Sequence, residues 1–302
     1  MRRALGLRPL ASFVAVVVLA CGGPGSAVVA QSSDEAQRLA ARIRDRLVES
    51  RARLEKYGYF EEDTEIKLDR SGGEEERETR VYLVSPAPKG GEPDSRLVSV
   101  NGKPPSEDER EEDEERRERD REDVESRSTS ASQRRRAAVE DLRRGLVVKI
   151  EGRETVDGHQ ATVLSFEPRP GAHLQSRVGR FVRVMRGRVW ATDAGHVVRV
   201  EARLDSAVSV GWGLIARIWQ GSWLRVNQQP HDGSWLPREL TAEAQGRTLL
   251  FRTFHTRYAV RYWGYRLGAA PEPTLSPPSQ PADAAAEGSP GSSAPGSPPR
   301  RR

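Results

Sequence analysis

Residues 187–204 read GRVWATDAGHVVRVEARL, two alternating runs joined by a polar turn. In an extended chain successive side chains point to opposite faces. Val198, Val200, Ala202 and Leu204 therefore share one face, and Arg199, Glu201 and Arg203 share the other. The device recurs in LVVKIEGRETVDGHQATVLSFEP, which turns at VDG, and in GSWLRVNQQPHDGSWLPREL, which turns at HDG. RTLLFRTFHTRYAVRYWGYRL is a last long run. Nearer the start, YGYFEEDTEIKLD, RETRVYLVS and SRLVSVNG read as an antiparallel meander. The pattern predicts nine to eleven strands in one large antiparallel sheet, apolar on one face and charged on the other.

One helix is expected to serve the apolar face. Ala36, Leu39, Ala40, Ile43, Leu47 and Leu54 recur at helical spacing with arginines and acids between them. Ser32 with Glu35 reads as a capping box, and Gly58 as a stop.

Residues 104–144 interrupt the meander. From Glu107 to Arg127 there are 13 acids and 6 bases, with Val124 the one apolar residue. Many opposite charges sit four apart, so a charge-stabilised helix is expected, with no apolar stripe to place in a core. SRSTSASQ should break it, and RRRAAVEDLRRG should dock as a short separate helix. Residues 269–302 are rich in Pro, Ser, Ala and Gly and are expected to stay disordered.

The first thirty residues read as a leader. Arg2, Arg3 and Arg8 precede the apolar run LASFVAVVVLA, which is too short to span a bilayer but suits a signal peptide. Cleavage is expected after Ala30. The alternative is acylation at Cys21, which follows VLA, giving a membrane-anchored lipoprotein. Export to the periplasm or cell envelope is the expectation either way, with no later membrane span. Cys21 is the one cysteine, so a disulfide cannot stabilise the mature domain at 31–268. Three of the arginines behind the net charge of +5 lie in the leader, and the folded part is nearly neutral, which gives little support to nucleic-acid binding.

Nothing points to catalysis. His159, His173, His196, His231 and His255 are scattered, with no metal-binding spacing, and no nucleophile elbow, P-loop or dinucleotide fingerprint occurs. No metal and no cofactor are expected. All six tryptophans fall between 190 and 263. In VGWGLIARIWQGSW, Trp212, Leu214, Ile215, Ile218 and Trp219 read either as a crossover packed into the core or as a flap over an apolar cavity. Large or alternating strand residues supply candidates for that cavity: Trp190, Val198, Val200, Leu204, Trp223, Trp235, Leu249 and Phe251.

GRVWATDAGHVVRVEARL, VDGHQATVLSFEP and GSWLPREL resemble the hairpin and strand motifs of the LolA/LolB-like superfamily, known for sorting lipoproteins through the periplasm. SVNGKPPSEDEREEDEERRER looks like an arm found in a bacterial branch of that group. The resemblance implies an α+β fold: an open, curved antiparallel half-barrel with an N-terminal amphipathic helix on its concave face and acyl chains between. It implies a non-enzymatic carrier of a lipid or acylated lipoprotein. The alternative expectation is an envelope regulatory or scaffold module that binds a protein partner through the charged arm.

Overall fold

A computed structural model describes residues 30–87, 93–174, 176–210, 216–248 and 252–271. Residues 1–29, with Cys21, and those from 272 onward lie outside the described residues. Helix α1 spans Ala30–Leu54. Strands β1 (Tyr57–Leu68), β2 (Glu74–Ser85) and β3 (Asp94–Val100) follow, and then helix α2 (Glu107–Gly145). Next come β4 (Leu146–Val156), β5 (His159–Pro168), the short helix α3 (Arg177–Val182), β6 (Met185–Ala191) and β7 (Val197–Leu204). The chain then forms β8 (Val208–Val210), β9 (Ala216–Ile218), β10 (Trp223–His231), β11 (Ser234–Thr248) and β12 (Arg252–Leu267).

All twelve strands join one antiparallel sheet in the order β3-β2-β1-β12-β11-β10-β7-β6-β5-β4, with the β8–β9 hairpin attached to β11. The sheet is curved and does not close. Most consecutive strands pair along it, and the widest separation is that of β3 and β4. β3 and β4, consecutive in the chain, occupy opposite free edges, and α2 is the connection between them. At 1.5 Å per residue its 39 residues run about 58 Å.

α2 departs from expectation twice. It is continuous through SRSTSASQ, where a break was expected. Both its ends are also structural. Ser106 and Glu109 form a capping box at its start. Asp113, buried, then accepts a 3.0 Å hydrogen bond from the Leu97 amide, and the Arg116 guanidinium donates to the Ser95 carbonyl at 3.0 Å. Arg117 pairs with Asp94. At the far end Leu142 is fully buried, and Asp141 accepts from the Ser176 amide that begins α3. The charged segment is thus a crossover pinned at both sheet edges, not an appended arm.

The apolar face carries the main core: Leu164 and Phe166 on β5, Met185 and Val189 on β6, Val200 and Leu204 on β7, Leu224 and Val226 on β10, Leu240 and Ala242 on β11. Against it α1 lays Ala36, Leu39, Ala40 and Ile43, none more than 3% exposed. Ser32 lies inside α1 and not at its cap, because the helix begins by Ala30. Gly58 is not a stop but part of β1. The opposite face carries the expected ions, including Arg225–Glu201, Arg188–Glu151 and Lys149–Glu167, each at 2.8 Å. Such exposed pairs contribute little individually.

Ile43→Ala should cost about 2–5 kcal/mol in urea unfolding, because it empties a packed site, while Val48→Ala on the exposed side of α1 should change little. Asp113→Ala should cost about 1–3 kcal/mol in the same assay, because it leaves the Leu97 amide unsatisfied at a sheet edge.

Candidate functional site

The candidate site is the inner face of the sheet, the one α1 covers. It has two zones. Over β4–β7, β10 and β11 it is apolar and occupied by α1 together with Leu142 of α2 and Val182 of α3. Over β1, β2 and β12 the same face changes character. Register continues it from Leu240 and Ala242 to Val260 and Tyr258, then to Asp63 and Glu65, then to Arg80 and Glu78. Glu61 lies in this row between Tyr262 and Tyr82. Tyrosines and carboxylates here take the place of Val and Leu. Burial is the main cause that raises the Glu65 carboxyl, with Lys67 opposing it. Burial, helped by Glu65, pushes the Tyr258 phenol up to about 12, and burial drives the Tyr262 phenol well above its ordinary value.

This second zone was not among the sequence candidates, although YGYFEEDTEIKL carries it as a period of two: Tyr59, Glu61, Asp63 and Glu65 alternate with Phe60, Glu62, Thr64 and Ile66. Phe60 packs on the other face with Val81 and Trp263.

The expected cavity residues divide between the two faces. Val200 and Leu204 lie on the inner face. Trp190, Val198 and Trp235 form a separate cluster with Val156, Ala161 and Val163. Trp190 alternates with inner-facing Val189, and Trp223 with inner-facing Leu224, so both point outward. The reason for the split at Val198 is a bulge. Trp190 pairs with Arg199 but Ala191 pairs with Val197, so one extra residue sits in β7 and the alternation reverses. Val197 joins the inner core and Val198 leaves it, a correction to the simple alternation read from the sequence. Leu249 and Phe251 lie outside the described residues. So do Trp212, Leu214 and Ile215. The described part of that stretch is a strand pair, β8–β9. Ile218 is half-buried and packs on the core edge, and Trp219 is 37% exposed.

The Trp190 cluster sits where three turns gather. The Trp190 indole donates to Glu154 at 2.8 Å, and the Arg199 guanidinium lies 6.0 Å from its ring. His159 meets Trp235 edge-on at 4.8 Å, and His196 stacks on it at 6.0 Å. Asp157 binds Arg238, and Asp193 binds Arg153.

Two of these turns also hold α1. Gly195, at φ +88°, lies so close to α1 that a Cβ there would come within 2.7 Å of the Arg42 backbone. Arg46 donates to the Ala194 carbonyl and Arg53 to the Asp232 carbonyl, and the Ser50 and Ser234 hydroxyls lie 3.5 Å apart. Polar contacts therefore fix the C-terminal half of the helix, and a narrow apolar stripe seats it on the sheet. No group of three or more His, Cys, Asp or Glu among the described residues could hold a metal ion. No described helix is long and apolar enough to cross a membrane.

Comparisons with known proteins add structural neighbours. One is a DUF1329 family protein from Desulfovibrio piger, 14% identical, covering 76% of this chain and 92% of its own, with a TM-score of 0.26. Another is a domain from Vibrio parahaemolyticus described as an outer membrane lipoprotein-sorting protein, 13% identical, covering 74% of this chain and 91% of its own, with a TM-score of 0.32. Both scores are low, so the half-barrel assignment rests on the strand order and register above. No family profile matches the chain, and no curated protein matches it in sequence.

His196 joins the α1 contact to pH. Its Nδ1 is buried without a hydrogen-bond partner, and burial, then Arg46, lower its pKa, against a smaller opposing effect of Glu49. A lowered folded-state value means that the unfolded chain binds the proton more readily. Stability is then full above the ordinary value of about 6.5 and falls as pH drops below it. Thermal unfolding temperature should therefore decline from pH 7.5 to pH 5, with hydrogen exchange in 36–50 speeding up first, and His196→Gln should flatten that decline.

Proposed function

We propose that this protein is an exported, non-enzymatic carrier of the bacterial cell envelope that holds a lipid or the acyl chains of a lipoprotein. The observation that carries this reading is the apolar inner face over β4–β7, β10 and β11, which one amphipathic helix covers where a sandwich would place a second sheet. The helix contributes three large apolar side chains, Leu39, Ile43 and the half-buried Leu47, and two alanines to the covering stripe. A buried methylene is worth about 0.8 kcal/mol and a buried Leu or Ile about 1.5–3 kcal/mol. A single long acyl chain therefore offsets the displacement of that stripe. The guest would lie against Val200, Leu204, Leu224 and Leu240, with its polar end toward the tyrosine and carboxylate zone of β1, β2 and β12. Trp190, Val198, Trp223 and Trp235 support the sheet from behind and do not line this space. The apolar leader before Ala30 fits an envelope address, and acylation of Cys21 would place the carrier on a membrane.

Native mass spectrometry of the chain from Gln31 onward, prepared without detergent, should find a co-purified lipid or one that exchanges with a fluorescent fatty-acyl probe. Ile43→Glu should speed that exchange by weakening the seat of α1. A protein that carries no lipid and gains no probe fluorescence, in parent and variant alike, would overturn the proposal.

A further inference from the structure

Arginines on the outer face of the sheet are nearly all neutralised. Arg186 and Arg203 share Asp205, Arg188 meets Glu151, Arg225 meets Glu201, and Arg257 meets Glu243. The end of the sheet built by β8, β9 and the tip of β11 breaks this pattern. Arg217 of β9 lies directly opposite Arg247 of β11 in the register. Neither has an ion-pair partner among the described residues, and the Arg247 Nε is buried without a hydrogen bond. Like charges directly opposite across two strands are destabilising. Two further arginines approach the same end from the inner side of the sheet. Arg252 pairs across the β11–β12 turn with Thr248, and Arg180 reaches the Ser209 carbonyl of β8.

The sequence supplies no local acid to relieve this charge. No Asp or Glu occurs between Ser206 and His231, or between Ala244 and Pro271. Glu243, just before the second stretch, is already engaged by His255 and Arg257. Trp219, two residues from Arg217 on β9's continuation, leaves its indole partly exposed in the same region. The described strand ends Val210 and Ala216, Thr248 and Arg252, pair with one another around this point, and the sequences joining them, GWGLI and LLF, contain no charge.

We propose that this end of the sheet, centred on Arg217 and Arg247 with Trp219 beside them and with Arg180 and Arg252 on the inner side of the same end, docks on an anionic phospholipid surface. An uncompensated arginine couple costs the isolated protein some stability, and a counter-charge from outside relieves it. A lipid surface matches both components of the patch. Its phosphates take the guanidinium groups, and the interfacial layer takes an indole, which is amphipathic and favours that depth. The docking stands independently of any guest on the inner face. It would set the carrier at a membrane with its hairpin end inward.

Vesicle flotation tests it. The chain from Gln31 onward should float with phosphatidylcholine vesicles containing phosphatidylglycerol and stay behind with pure phosphatidylcholine. Arg217→Ser combined with Arg247→Ser should weaken flotation by about twenty-five-fold, roughly five-fold per arginine. Arg153→Ser, which removes an arginine paired with Asp193 elsewhere, should leave it unchanged. Because the double variant relieves a repulsion, its unfolding temperature should equal or exceed the parent's, and a lowered one would count against the proposal. Equal flotation of parent and double variant would overturn it. So would release from vesicles by inorganic phosphate or by a polynucleotide at constant ionic strength, which would assign the patch to a small anion or to nucleic acid. A fatty-acyl probe bound normally by a protein that fails to float would sink docking while leaving the carrier reading intact.

Discussion

A sheet that curves without closing has two exposed edges, each a row of unpaired amides and carbonyls ready to recruit another strand. Here the edge at β3 is satisfied from the side by a helix. Asp113 accepts from the Leu97 amide and Arg116 donates to the Ser95 carbonyl, so two side chains of α2 take the place of a neighbouring strand's backbone. The same helix then runs into β4, the opposite edge. With the β3 edge occupied by a helix, no further strand extends the sheet there, and the inner face is covered by α1 instead of by more strands.

What α1 covers is unequal. The half built from β4 to β11 is aliphatic and seats the helix stripe, whereas the half built from β12, β1 and β2 presents tyrosines and carboxylates on the same side. The outer face is mixed too, with cross-strand ion pairs around the Trp190 cluster and the Phe60–Trp263 stack. One sheet thus offers an apolar surface beside a polar one, the combination an amphiphile needs, and its contact with the helix passes through turns that include a buried, unpartnered imidazole nitrogen.

Much of this was legible in the residues. Strict alternation in RVEARL and ATVLSFEP gave the strands and their polarity, and the spacing from Ala36 to Ile43 gave the helix and its buried stripe. Other features were not legible, for identifiable reasons. A bulge is a one-residue difference between paired strands, so Val198 could not be separated from Val200 until Trp190 and Ala191 were seen to pair on either side of it. The charged helix looked expendable because its core contacts are sparse: two carboxylates, Asp113 and Asp141, a few arginines and Leu142 do the anchoring, and no stripe announces them. Ser and Thr at 128–130 are weak helix formers, yet a helix tethered at both ends continues through them. The arginine couple could not be found from sequence at all, since Arg217 and Arg247 are thirty residues apart and only register sets them opposite each other.

The first strand of the chain pairs with the last, β1 with β12, and that seam lies inside the sheet. A polypeptide delivered in order, whether from a ribosome or through a translocation channel, presents β1, β2 and β3 long before Arg252–Leu267 exists to receive them. The early hairpins must wait as a small three-stranded piece, and ring closure over roughly two hundred intervening residues comes last. Assembly is therefore a late, all-at-once event, and a truncation that removes the final strand strands the beginning of the molecule as surely as its end.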